Sequence, residues 1–398
     1  MKRREFFKLS IAASSVVFTT SSLQAKTTKP LDEQDVSNVA FTQKRPLITY
    51  SDRPPLLETP REVFTTAITP NNELFVRWHM SNIPKHFDLD TYYIHVHGEV
   101  SKRLYLTVDA LKKDFEAVEV TVTMQCGGNS RSAFSPTTHG IQWGSGAMGC
   151  SKYKGARLKD ILAKAGLTSD AHWITLNGDD KAVMSKIESF KRELKISEIS
   201  DDTIIAYEQN GEELPFLNGF PVRLIIPGLY ADSWVKMLTN IDVTKEYKNY
   251  FYMDEAYRIP DNENESETPE LKATKTKPLE AMNVKSYIGY PTAKSRIEVK
   301  SNMTIKGVAF DEGHGIKSVK ISFDNGKTWE ESTLEKELSP YAFRVFTYKL
   351  RPMQKGSLTI MAKAINNKGE EQPFAKDIAW NHGGYKYNGI DSVTVNVI

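Results

Sequence analysis

The 398-residue chain has only two cysteines, Cys126 and Cys150, too few for the disulfide framework on which small exported domains rely. Neither belongs to a C-x-x-C-H run, so the chain has no attachment point for a c-type haem. Long apolar stretches are missing too. Beyond the N-terminus nothing approaches the roughly 18 continuous apolar residues of a membrane-spanning helix, and the mature protein is expected to have no span. There is no internal repeat and no long low-complexity tract. An excess of charge of one sign is missing: the formal net charge is +2, and loss of residues 1–25, with Lys2, Arg3, Arg4 and Lys8 against Glu5, would take it to about −1. That leaves no overall basic footprint for nucleic acid or an anionic membrane.

What is present is ordinary globular material, with 40% hydrophobic and 26% charged residues, and the length suits two domains and a tail. Residues 1–25 combine a basic start, a short apolar stretch and small residues before Ala25, the pattern of a targeting peptide. Arg3 and Arg4 followed by Phe6, Phe7 and Lys8 fit a twin-arginine leader. Such a leader implies export of the folded chain to the periplasm by the twin-arginine machinery, often because a cofactor is inserted first.

Residues 26–258 read as one α+β domain. A polar, proline-punctuated lead-in to about residue 70 precedes three alternating segments, ELFVRWHM, YYIHVHGEV and VEVTVT, which predict strands. TVDALKKDF predicts a short helix starting at Thr107. A second helix is predicted from about Ala156, with Leu158, Ile161, Leu162 and Ala165 on one face and a stop at Gly166. Residues 259–280 are polar, charged and free of aromatics, a linker composition. Residues 281–398 then shift to short strands separated by turn signals, with Asn325-Gly326 as a hairpin turn, and predict an all-β, immunoglobulin-like sandwich.

Cys126 follows VEVTVT in the run TMQCGGNSR. A lone cysteine on a glycine-softened turn could present one thiolate to a metal. It could equally be a small buried hydrophobe, or pair with Cys150. His95 and His97 share a strand face in IHVHG, yet two histidines without further ligands do not define a metal site.

The surrounding motifs are more specific. Cys126, Gly128, Asn129 and Arg131 satisfy C-x-G-N-x-R; Gly140 to Trp143 follow as G-x-x-W, then KYKGARLKDIL from Lys152, AYEQNGEELPFLNGFPVRLIIPGLYADSWVKML from Ala206, and AYRIPDN from Ala256. Together these resemble the sulfite oxidase family over nearly the whole mature chain. The resemblance implies a molybdopterin domain followed by a dimerisation domain, and hence a homodimer. It makes Cys126 the one protein ligand to molybdenum, with Gly127 and Gly128 allowing close approach of the cofactor. Arg77 and His79 match the family's R-x-H, the arginine beside the oxyanion pocket and the histidine near the pterin. Tyr257 matches the active-site tyrosine, and Arg223 and Lys236 the groups that hold the pterin phosphate. Asn129 and Arg131 belong to the cofactor loop. Arg344, in YAFRVF, resembles the arginine that the second domain inserts into the substrate pocket, so that Arg77, Arg344 and Arg131 would gather a small dianion. Asn218 stands where animal relatives have histidine, among cofactor contacts, and His139 where they have lysine. Cys150 is expected to pack.

The implied activity is molybdenum-dependent oxidation of sulfite to sulfate. The electrons would leave singly to a c-type cytochrome subunit or soluble cytochrome c, since no haem is expected in this chain, neither a c-type site nor the extra domain that animal relatives use for a b-type haem. A sulfane dehydrogenase of thiosulfate oxidation and a methionine sulfoxide reductase of the same superfamily are enzymatic alternatives. A periplasmic binding protein, holding no metal, is the non-enzymatic one.

Overall fold

Strand pairing fixes the lead-in. In the computed structural model, which describes Phe41 and residues 43–184 and 186–398, Ile48–Asp52 pairs antiparallel with Pro55–Glu58, and Pro55–Glu58 with Val76–Arg77. The expected twin-arginine leader lies outside the described residues. The strand predicted through ELFVRWHM shrinks to Val76–Arg77, because its partner begins at Pro55, which has no N–H with which to extend the ladder.

Two five-stranded sheets build the rest of the first domain. In one, the VEVTVT segment extends to Ala117–Gln125 and pairs along its length with Met148–Arg157, which pairs with Ile204–Gln209. Glu212–Glu213 and Arg223–Ile225 complete that sheet. The other runs in the order Leu104–Leu106, Ile94–Gly98, Leu238–Thr244, Trp173–Gly178, Lys191–Lys195. Helical content is smaller than the mixed signals suggested: the described residues hold three short α-helices, Val108–Asp114, Leu158–Ala165 and Phe251–Asp254. The first starts where predicted, with the Thr107 hydroxyl accepting the Ala110 amide at 3.1 Å, a side-chain cap for an otherwise orphaned N–H. The second buries Leu158, Ile161, Leu162 and Ala165 but begins two residues later than predicted, since Ala156 and Arg157 are still in the preceding strand.

The second domain is a two-layer sandwich. Lys285–Tyr290, Met303–Phe310, Arg344–Leu350 and Thr333–Leu334 form one sheet; Arg296–Ile297, Asp391–Val397, Gly356–Asn366, Ile316–Ser322 and Glu330–Glu331 form the other. Alternation decides what faces inward: Val393, Val395 and Val397 from one layer join Ile305 and Phe346 from the other.

The segment expected as a polar linker is tied down. Arg258–Pro260 pairs with Thr276–Pro278, Glu265 holds Lys277 at 2.8 Å and Lys386 at 2.6 Å, and Glu267 accepts from the His382 backbone at 2.8 Å. Nor do the two domains keep separate cores. Tyr287, Phe310, Phe343 and Val345 of the sandwich pack in the same buried cluster as Cys126, Trp143 and Cys150 of the first domain. This shared core presses the sandwich against the cysteine turn.

Candidate active site

At the end of Ala117–Gln125 the chain leaves the sheet and folds back. The Cys126 amide donates to Ala147 O at 2.9 Å, and the Asn129 amide donates to Cys126 O at 2.9 Å. Asn129 Oδ1 accepts the Ala147 amide at 3.0 Å, so the side chain braces the turn, while Asn129 Nδ2 is buried without a partner among the described residues. Cys126 is 8% exposed. Burial pushes its thiol pKa up, and Arg77 and Arg131 pull it back. Cys150 forms no bridge with it; both cysteines are free. Cys150 packs beneath the sandwich, its Sγ accepting the Phe343 amide at 3.4 Å.

The glycines beside Cys126 make room for the protein itself. A Cβ at Gly127 would lie 2.3 Å from Leu279 Cδ2, and one at Gly128 2.3 Å from an Arg131 guanidinium nitrogen. Both approaches are closer than a real methyl tolerates, so the packing of the protein alone requires glycine at these positions.

Cys126 opens onto a cavity whose lining includes Arg77, His79, Asn218, Arg223, Asp232, Lys236 and Tyr257. The residues that the motifs singled out therefore converge from four separate segments of the chain. The cations in it are bonded to neutral oxygens. Arg77 donates to Trp78 O at 2.6 Å, Arg223 to Asn218 O at 2.6 Å and Trp234 O at 3.3 Å, and Lys236 to Arg77 O at 3.0 Å. Burial lowers the Lys236 pKa to about 7. Asn218 is fixed from both ends, accepting from Lys44 Nζ at 2.5 Å and donating to Phe75 O at 3.1 Å.

On the opposite wall the His79 ring stacks on Phe190, centroids 4.0 Å apart, and its Nε2 meets the Tyr257 hydroxyl. Burial and the neighbouring cations Arg77, Lys236 and Arg192 hold His79 neutral, and burial raises the Tyr257 pKa. Both groups are thus uncharged in this contact, and the tautomer of His79 sets which of the two donates. Tyr257 adopts a left-handed backbone, φ 56°, which turns its ring into the cavity.

Sequence reasoning missed the pair next to it. Arg192 donates to Asp232 Oδ2 at 3.0 Å and to Ser233 Oγ at 3.1 Å, with both ion-pair side chains 1% exposed. Asp232 Oδ1 and Arg192 Nε have no partner among the described residues, and burial raises the Asp232 pKa to about 7. Asp232 lies within the ADSWVKML run; Arg192 joins it from forty residues away in sequence, and no local pattern signals that contact.

Arg344, expected in the substrate pocket, does not reach the cavity. It donates to Ile316 O at 2.5 Å and Glu335 O at 3.1 Å, with Glu337 at 3.9 Å. The cause is strand alternation: Phe343 and Val345 are each 1% exposed and face the core shared with the first domain, so the residue between them points the other way. Arg131 is near the turn but off the cavity lining, donating to Gly383 O at 3.0 Å and Ile141 O at 2.9 Å. His139 is exposed. His95 and His97 stack on the outer sheet face at 4.3 Å, and among the described residues no group of three or more His, Cys, Asp or Glu could hold a metal ion.

The donor set fits a molybdopterin. Arg77, Arg223 and Lys236 crowd one cavity with no carboxylate ion pair among the described residues, and so call for an anion such as a phosphate. Cys126 offers the same cavity one soft ligand, whose thiolate a bound metal would stabilise. The rest of the metal's coordination would come from the pterin, which is why a single cysteine suffices.

A family model described as the oxidoreductase molybdopterin binding domain matches residues 79–252, and one described as the Mo-co oxidoreductase dimerisation domain matches residues 276–397. The chain is 32% identical over 364 residues to mitochondrial sulfite oxidase of Mus musculus, covering 87% of this chain and 65% of that protein. It is 28% identical over 386 residues to the NAD(P)H nitrate reductase of Hordeum vulgare, covering 90% of this chain and 42% of that one. Thus the chain spans about two thirds or less of the length of these relatives. The sulfane dehydrogenase SoxCD of Paracoccus pantotrophus superposes with a TM-score of 0.76 at 22% identity, over 93% of this chain and 95% of that one. Fold and site define a molybdopterin oxidoreductase. Within that class, the chain belongs to the sulfite oxidase family.

Proposed function

We propose that the protein oxidises sulfite to sulfate in the periplasm and passes the electrons singly to a c-type cytochrome. The observation that carries this reading is the convergence of Cys126, Arg77, Arg223, Lys236 and Tyr257 on one cavity, in a chain 32% identical to a sulfite oxidase. When bound, the molybdenum centre supplies the two-electron oxidation and oxygen-atom transfer. Cys126 would ligate it, and Arg223 and Lys236 would hold the phosphate end of the pterin with charge-assisted hydrogen bonds. Asn218, anchored by Lys44, adds a neutral contact on that side. Arg77 attracts the sulfite anion. Tyr257, oriented by its contact with His79 Nε2, keeps its proton and would offer its hydroxyl to the bound oxyanion. The Arg192–Asp232 pair braces that wall, the guanidinium carbon 5.5 Å from the Tyr257 ring centroid.

Oxidation of sulfite by water releases two protons and two electrons, which two one-electron acceptors take up in turn. Residues 1–25 act as the twin-arginine leader, and the second domain is an immunoglobulin-like fold that pairs two copies of the chain. Protein purified from a molybdenum-replete host is expected to contain about one molybdenum per chain and to reduce cytochrome c when given sulfite. Thiosulfate and methionine sulfoxide are the comparison substrates. Molybdenum-loaded protein that ignores sulfite but turns over either of them would replace this reading with the corresponding alternative.

A further inference from the structure

The second domain reaches the cysteine turn through a residue other than Arg344. Residues 381–386 form a tight loop closed on itself: Asn381 Oδ1 accepts the Tyr385 amide at 3.0 Å, and Asn381 Nδ2 donates to Tyr385 O at 3.0 Å. Two bonds fasten this loop to the turn, from the Lys386 amide to Gly127 O at 3.1 Å and from Arg131 Nε to Gly383 O at 3.0 Å. On its far side the loop is held by Glu265 at Lys386 Nζ, 2.6 Å, and by Glu267 at the His382 amide, 2.8 Å. A loop clamped on both sides presents its side chain at a fixed place.

That side chain is Tyr385. Its ring stacks on Tyr257, with centroids 5.6 Å apart and planes 27° apart, and the Arg131 guanidinium carbon lies 5.3 Å from its centroid. It reaches the Cys126 turn as well: a Cβ placed on Gly127 would be 3.5 Å from Tyr385 Cδ1 and 2.3 Å from Leu279 Cδ2. Tyr385 is itself half-buried, beside a turn whose Cys126 is 8% exposed. We propose that Tyr385 is a specificity-determining residue: with Leu279 it walls the outer side of Cys126 and backs Tyr257, so that only a small oxyanion reaches the cavity. Selection of the oxyanion rests on the proposed function; the wall itself does not.

The wall is tested on cofactor-free protein by the rate at which 5,5′-dithiobis(2-nitrobenzoate) labels Cys126. Tyr385→Ala is expected to speed labelling about tenfold by exposing the thiol, and Tyr385→Phe, which keeps the ring, to restore the wild-type rate. Cys150, 0% exposed, is the internal reference, since its labelling would mean that the variant had unfolded. In that event Tyr385→Leu, a smaller change, decides the matter in the same assay. In the loaded enzyme Tyr385→Ala is expected to raise the sulfite KM about tenfold while kcat falls less. Folded Ala or Leu variants whose Cys126 labels at the wild-type rate would overturn the wall. Faster labelling in a protein that never oxidises sulfite would keep the wall and discard the proposed function.

Discussion

Three lysines make their hydrogen bonds with uncharged oxygens of the protein. Lys44 donates to Asn71 O, Leu74 O and Asn218 Oδ1, Lys236 to Arg77 O, and Lys285 to Ser130 Oγ and Tyr387 O. Their hydrogen-bond acceptors are all neutral oxygens, and burial lowers each pKa from 10.5 to about 7. Between those two values the unfolded chain binds more protons than the folded one, so stability rises with pH across that window. Asp232 works on the other side of neutrality. Its folded pKa of about 7 exceeds its ordinary 3.8, so its contribution falls as pH climbs toward 7. Cofactor-free protein is therefore expected to become more resistant to urea between pH 7 and pH 9, read from the unfolding midpoint. Loading with the anionic cofactor should flatten the rise, because a phosphate beside Lys236 favours its charged form. An unloaded midpoint that drops over this interval would mean that these ammoniums are solvated.

The cysteine turn works as an element because its glycines and its arginine occupy one volume. The Gly128 Cα lies against the Arg131 guanidinium, where a Cβ would fall 2.3–2.6 Å from three of its atoms. Gly128→Ala is expected to cost about 1–3 kcal/mol in chemical denaturation, as overpacking does. Removing the guanidinium in Gly128→Ala/Arg131→Ala should recover part of that loss, and purely additive costs would show that the two residues do not compete. At this scale the sequence was legible where a signal is local. The Thr107 cap, the Leu158–Ala165 helix face, the alternation in Ala117–Gln125 and the C-x-G-N-x-R run all point correctly to elements that the structure contains. It was illegible where the signal is relational. Which face of Arg344–Leu350 meets the first domain depends on the register of the sandwich, and a shift of one residue exchanges Phe343 for Arg344. The Arg192–Asp232 pair, the Lys44–Asn218 contact and the seat of Tyr385 join segments far apart in sequence, with no motif to announce them.

On the scale of the whole molecule, the shared core makes the two domains one folding unit. Phe343, 1% exposed, sits with ring centroids 6.0 Å from Phe64 of the lead-in and 5.3 Å from Phe310 of its own domain, and its amide meets Cys150 Sγ. The sandwich also sends Lys285 to Ser130 and the Lys386 amide to Gly127, so the backbone beside Cys126 is held in place by the second domain. Separate melting would have to expose this apolar contact and break those bonds, and so has no favourable intermediate to populate. Phe343→Ala is expected to cost about 3–5 kcal/mol, as large-to-small core changes do, and to move a single transition rather than split it. The tryptophans divide usefully for this measurement: Trp78, Trp143, Trp173 and Trp234 report on the first domain, Trp329 and Trp380 on the second. Variants keeping only one set can be followed by fluorescence during guanidinium unfolding. Coincident midpoints that Phe343→Ala lowers together would show that the sandwich holds the cysteine turn in shape. If the second-domain signal moved alone, the turn would owe its geometry to the first domain.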